Sequence, residues 1–145
     1  MNDLVFRMKN QEKTSILQHV FRIVLGAFMI VAAIGHLTYQ RVAFQAQVPD
    51  WLPFGKDLIV ILSGIVEFAL GMSMLFWKKE RVKVGIALAL FYVLVFPGNI
   101  AQYVNGINAF GLDTDSSRLI RLFFQPVLII WALWSTGAWS KWRNG

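Results

Sequence analysis

The chain has 145 residues, 57% of them hydrophobic and only 15% charged, with a mean hydropathy of +0.55. A soluble domain carries about 25% charged residues, and here the deficit is concentrated in four apolar runs at 16–38, 58–77, 84–104 and 119–139. Of 14 basic and 8 acidic residues, only Arg22, Glu67 and Arg121 fall inside those runs. A helix of about 20 residues spans ~30 Å, the thickness of a bilayer's hydrocarbon core. These features exclude a soluble enzyme, a nucleic-acid module and a disordered chain. They predict an all-α, polytopic membrane protein: a four-transmembrane-helix bundle forming one domain over 1–145.

The formal charge of +6 follows topology rather than a nucleic-acid partner. Nine Lys and Arg residues lie in the N-terminal tail, the loop between helices two and three, and the C-terminal tail; Arg41 and Lys56 lie in the first loop. By the positive-inside rule both termini are expected in the cytoplasm, beside anionic lipid headgroups. With no cysteine, neither a disulfide framework nor thiol chemistry is available to this chain.

Thr14-Ser15 stands where a cap for the first helix belongs. Arg22, about one and a half turns further on, is expected to snorkel to the cytoplasmic face. Arg22, Gly26, Met29, Ala33, His36 and Gln40 recur at spacings of four and three, a stripe of small and polar residues expected to face the bundle. His36 then points inward near the outer end.

The first loop, 39–57, contains Val48-Pro49-Asp50-Trp51-Leu52-Pro53-Phe54-Gly55, where two prolines oppose a regular helix. Trp51, Leu52 and Phe54 suit an interfacial anchor. The sharper reading is a lid, formed by Pro49, Trp51 and Pro53, over the outer mouth of the bundle.

Helix two places Glu67 ~13 Å deep by helical rise, on one face with Ser63 and Gly71. A carboxylate at that depth costs about 3 kcal/mol or more. It therefore needs a proton, a partner or water, and reads either as a proton acceptor or ligand contact or as a structural ion pair. In helix three, Pro97 is expected to kink the outer half, and Asn99, Gln102, Tyr103 and Gly106 share a face. Helix four puts Arg118, Arg121 and Gln125 on one face, with a second kink expected at Pro126. Trp139 and Trp142 fit an interfacial belt, whereas Trp131 and Trp134 are placed to pack within the bundle.

These embedded polar residues all fall at or above the midplane. They predict an outward-opening polar pocket built from His36, Glu67, Asn99, Gln102, Arg121 and Gln125, with Glu67 paired to Arg121. No metal site is expected, because the two histidines and the carboxylates lack metal-ligand spacing. No phosphate-binding glycine loop or other catalytic signature is present. A histidine in such a pocket suits proton transfer beside a quinone headgroup, or a purely structural role.

Gly35-His36-Leu37, Pro49-Asp50-Trp51-Leu52-Pro53, Ser63-Gly64-Ile65-Val66-Glu67-Phe68-Ala69-Leu70-Gly71, Phe96-Pro97-Gly98-Asn99 and Arg121-Leu122-Phe123-Phe124-Gln125 occur in an order and spacing that resembles the DoxX-like family of small four-helix membrane proteins. The resemblance covers nearly the whole chain. It implies a compact bundle, placed in the bacterial inner membrane, and for some members association with quinone-linked oxidoreductases. The family's characteristic polar positions match His36, Glu67, Asn99, Arg121 and Gln125. Two functions stay open on this reading. One is the membrane subunit of an oxidoreductase that handles a quinone, with a redox partner subunit. The other is a non-enzymatic bundle that binds a lipid, small substrate or partner protein as a transporter, chaperone or scaffold. A small multidrug exporter would have very short loops and balanced charge, and this chain has neither.

Overall fold

The computed structural model describes residues 14–107 and 114–144, and among them every regular element is helical. In chain order these are α1 (Ile16–Leu37), α2 (Arg41–Phe44), a 3-10 turn at Gln45–Gln47, α3 (Lys56–Phe76), a 3-10 turn at Lys78–Glu80, α4 (Arg81–Val104), α5 (Asp115–Ser135) and α6 (Ala138–Asn144). Four helices, α1, α3, α4 and α5, are long and apolar enough to cross a membrane. Their outward surface carries Phe28, Leu94, Ile120, Phe123 and Ile130, all exposed. Water would penalise an apolar surface this extensive, and hydrocarbon does not. This is the architecture of an integral membrane protein. The end carrying residues 38–55 is called the loop end below, and the opposite end the terminal end.

The bundle is built as two tight pairs, α1 with α3 and α4 with α5. Lipid gives helices no hydrophobic reason to associate, so close backbone approach must supply the contact energy. Gly26 and Gly71 provide it between α1 and α3: a Cβ added to either lies 3.1 Å from the other's carbonyl oxygen. Between the pairs lies a core of Leu25, Met29, Met74, Leu88, Tyr92 and Leu128. The stripe expected on α1 is buried at Arg22, Gly26, Met29 and Ala33. On α3 the buried positions Val60, Gly64, Glu67, Gly71 and Met74 again alternate by four and three.

Three expectations change. Arg22 does not snorkel: it is 4% exposed, and its Nη1 donates to the Met74 carbonyl in the last turn of α3. That carbonyl has no intrahelical donor, and a cation complements the negative end of the helix dipole. The last long helix starts and ends earlier than its apolar run. Thr114 and Ser117 form a capping box that begins α5 at Asp115. The run continues to residue 139, but the backbone breaks at Gly137, whose φ is 79°, a conformation that suits glycine. Trp139 and Trp142 therefore sit on α6, ring centroids 6.2 Å apart. The early start also places Arg118 in the first turn of α5, at the loop end, beside Asp115 at 2.7 Å. Arg118 thereby joins Arg41 and Lys56 as a third basic residue at the loop end.

Pro97 and Pro126 both lie inside helices, α4 and α5, that run on through them. Trp131 and Trp134 both meet Phe21 edge-on, at 5.7 and 5.5 Å, and Trp131 Nε1 donates to the Phe21 carbonyl at 3.0 Å; Trp134 and Phe21 are themselves exposed, so this cluster lies at the bundle's surface rather than within it.

Candidate functional site

The two helix pairs meet sparsely along α3 and α4, and there the bundle holds a cavity of about 390 Å³. A volume of that order suits a small ligand or a headgroup. The segment between α1 and α3 roofs it, through Gln47, Val48, Pro49, Trp51 and Leu52. Its side walls are apolar residues of α3 and α4, among them Ile59, Val66, Phe91 and Leu94, and its polar lining comes from His36, Gln47 and Ser63.

The roof is held from two sides. Arg41 grips Asp57 with both nitrogens of its fork, Nε to Oδ1 at 2.6 Å and Nη2 to Oδ2, and Lys56 Nζ lies 2.5 Å from Asp50 Oδ1. Bidentate geometry fixes direction as well as distance. These contacts tie the strap to the start of α3. On α4, the strap lies directly on Gly98: a Cβ there would sit 1.8 Å from the Gln47 carbonyl oxygen. Only a glycine fits under the strap. Gln47 Nε2 also donates to Gln102 Oε1 at 3.2 Å.

His36 forms the polar end of the cavity. Its Nε2 lies 3.3 Å from Glu67 Oε2, in a pair whose side chains are 13% and 9% exposed. Phe44 covers the imidazole with ring centroids 3.5 Å apart. Gly64 makes room for this arrangement, since a Cβ there would stand 2.8 Å from the His36 Cβ. The imidazole thus faces the cavity from one side and the carboxylate from the other. Such a pair can hold a proton at either member, and an acceptor carboxylate fixes the ring's orientation.

The remaining polar residues form a second group behind the wall. Asn99 Nδ2 donates to Gln125 Oε1 at 3.1 Å, Arg121 Nη1 reaches the same oxygen at 3.3 Å, and Gln125 Nε2 donates to the Tyr92 carbonyl at 2.8 Å. Gln102 Nε2 donates to the Ile107 carbonyl at 3.2 Å. Each of these bonds offsets a polar group that lipid or protein interior would otherwise penalise.

The expected pocket is therefore divided. Of its residues, His36 lines the cavity; Glu67 backs His36; Asn99, Gln102, Arg121 and Gln125 knit α4, α5 and the strap together. The expected Glu67–Arg121 contact is replaced by the His36–Glu67 pair, with Arg121 within electrostatic range of the carboxylate. The carboxylate lies closest to α1 because α1 and α3 are the tight pair. Of the lid residues, Pro49 and Trp51 line the cavity and Pro53 does not. Sequence reasoning missed Phe44, Gln47 and Gly98. The Pro-Gly step at 97–98 was their signal, since glycine after proline inside a span marks a close backbone approach.

A family model described as a domain of unknown function, DUF8561, matches residues 25–136, which include the whole cavity wall. The chain belongs to the DUF8561 family. No curated protein and no solved structure matches the chain. The DUF8561 segment also takes in the buried Asn99–Gln125–Arg121 group, the whole of α3, α4 and α5, and α1 from Leu25 onward.

Proposed function

We propose that the protein binds a lipid-soluble molecule with a small polar head, of the quinone class, in the cavity between α3 and α4, and serves as the membrane subunit of a quinone-linked oxidoreductase. The observation that carries this reading is the His36–Glu67 pair, 3.3 Å apart, at the polar end of an otherwise apolar cavity. Quinone reduction consumes two protons and two electrons. On this reading the protons pass by way of His36 and Glu67, and the electrons come from a redox partner subunit. The cavity wall includes Leu62, Val66 and Leu94, which are 50%, 45% and 77% exposed. A hydrocarbon tail thus has a sideways exit into the bilayer, as a tailed ligand requires. The resemblance to DoxX-like proteins supports the same assignment and a place in the bacterial inner membrane. The excess of basic residues in the tails and the loop between α3 and α4 supports a reading with cytoplasmic termini and the cavity in the outer half.

The same sideways opening favours one second reading, a non-enzymatic bundle that holds a phospholipid. Purification in mild detergent followed by mass spectrometry of bound small molecules separates the two. Co-purifying quinone, together with Trp51-dependent fluorescence quenching by a short-chain ubiquinone, is the expected result. Phospholipid alone, with no response to the added quinone, would favour the second reading and overturn the first.

A further inference from the structure

The strap over the cavity is attached unequally along its two edges. Toward the α1–α3 pair it is covalently continuous at both ends, and the Gln40 amide bonds the Gly35 carbonyl at 3.0 Å. Gln45 Nε2 adds a 3.3 Å bond to the Asp57 carboxylate that Arg41 already grips. Toward α4 the strap has no covalent link and, among the described residues, no ion pair. There Gln47 carries the contact, with Nε2 on Gln102 Oε1 at 3.2 Å and its carbonyl over Gly98. A hydrogen bond between neutral amides is about half as strong as one to a charged group. The α4 edge is therefore the free one.

Beneath that edge lies the polar end of the cavity. Val48 and Pro49 are buried there and line it. Phe44, three residues before Gln47, lies over the His36 imidazole with ring centroids 3.5 Å apart. A displacement of Gln47 from α4 thus draws on the same short segment that shields the imidazole. The other way in, past Leu62, Val66 and Leu94, is apolar. Such a surface passes hydrocarbon but offers a proton no relay.

We propose that the strap is a door, hinged on the α1–α3 pair and latched to α4 by Gln47, that admits water and protons to His36 from the loop end. The cavity then has two openings of different chemistry. Protons enter through the door, and a tailed ligand enters sideways between α3 and α4. The sideways route rests on the function proposed above; the door does not.

The test follows deuterium uptake at the imidazole C2 of His36, by mass spectrometry, for the full chain in phosphatidylcholine nanodiscs moved into heavy water. His19, the second of two histidines and at the other end of α1, is the internal reference. The chain has no cysteine, so Gln47→Cys with Gln102→Cys places the only two thiols across the free edge. A short bis-methanethiosulfonate reagent ties them, and dithiothreitol releases them. Tied, His36 is expected to exchange at least about fivefold more slowly than after release, with His19 constant within about twofold. Comparing the same molecules tied and released separates the door from any effect of the substitutions on folding. Gln47→Ala, which loses the Gln102 bond, should speed His36 exchange by about threefold or more. Gln45→Ala, two residues away on the hinged edge, should change it by less than about twofold. His36 exchange that is the same tied and released, or raised equally by Gln47→Ala and Gln45→Ala, overturns the door. Quinone takes no part in these measurements, so a chain that binds none would strike the proposed function and leave the door standing.

Discussion

The α1–α3 seam and the α3–α4 cleft share one helix and pack in opposite ways. At the seam, Gly26 and Gly71 bring two backbones to near contact. At the cleft, Val66, Phe91 and Leu94 stand apart around a cavity of about 390 Å³. One face of α3 is therefore committed to holding the bundle together, and the other borders an open cavity. Glu67 lies where the two regimes meet. Its pairing with His36 belongs to the seam, yet His36 presents its ring to the cleft. In lipid, where association rests on packing rather than on water exclusion, a tight seam is what permits a loose cleft beside it.

The contrast breaks most severely at Gly98. Gly98→Val would drive a side chain into the Gln47 backbone and lift the strap from α4. Quinone binding is expected to drop more than about tenfold, the equivalent of one good buried contact set. Circular dichroism should show helix content unchanged, and a parallel loss of helix would count against a local effect. Gly71→Leu attacks the seam instead. Overpacking of this kind costs about 1–3 kcal/mol, so thermal unfolding in detergent should shift down by several degrees. Binding to the still-folded fraction should stay close to that of the parent.

Glu67→Gln tests the junction. It keeps the side chain's shape and removes its charge, so the bundle should survive. On the proposed function, proton-coupled quinone reduction should slow by about tenfold or more, within the range by which a positioned acid or base contributes. Arg121→Gln is the comparison, since Arg121 is bonded to Gln125 rather than to His36 or the cavity. It is expected to lower stability by about 1 kcal/mol and to leave quinone affinity nearly unaltered. Equal loss of binding in the two variants would mean that the polar residues act as one site after all. The smallest effect belongs to Trp51→Ala. Trp51 is 72% exposed although it lines the cavity, and only about threefold weaker quinone binding is expected, read by equilibrium titration.

Much of the fold was legible because apolar runs and helix length are properties of one segment at a time. The four spans, the small-residue face of α1 and the burial of Glu67 follow from periodicity alone. Pairing across helices is not local in this sense. Depth along the membrane suggested Arg121 for Glu67, but partner choice depended on which helices pack tightly, and Gly26 with Gly71 decided that. Arg22 shows the same limit. Its distance from the membrane face suggested snorkelling, while the neighbouring helix happened to end beside it and offered the Met74 carbonyl. At 115–139 hydropathy began late of the Thr114 capping box and ran past the turn at Gly137, the backbone signals that set the actual ends.

The strap over the cavity is covalently continuous with α1 and α3 but rests on α4. Arg41 and Lys56 fasten it to one helix pair, and the Gln47–Gly98 contact to the other. Roof height and cleft width are thereby one mechanical variable. Anything that wedges α3 from α4 must also slide the strap across Gly98, so a change of width inside the bundle is felt at Trp51 on the exposed surface.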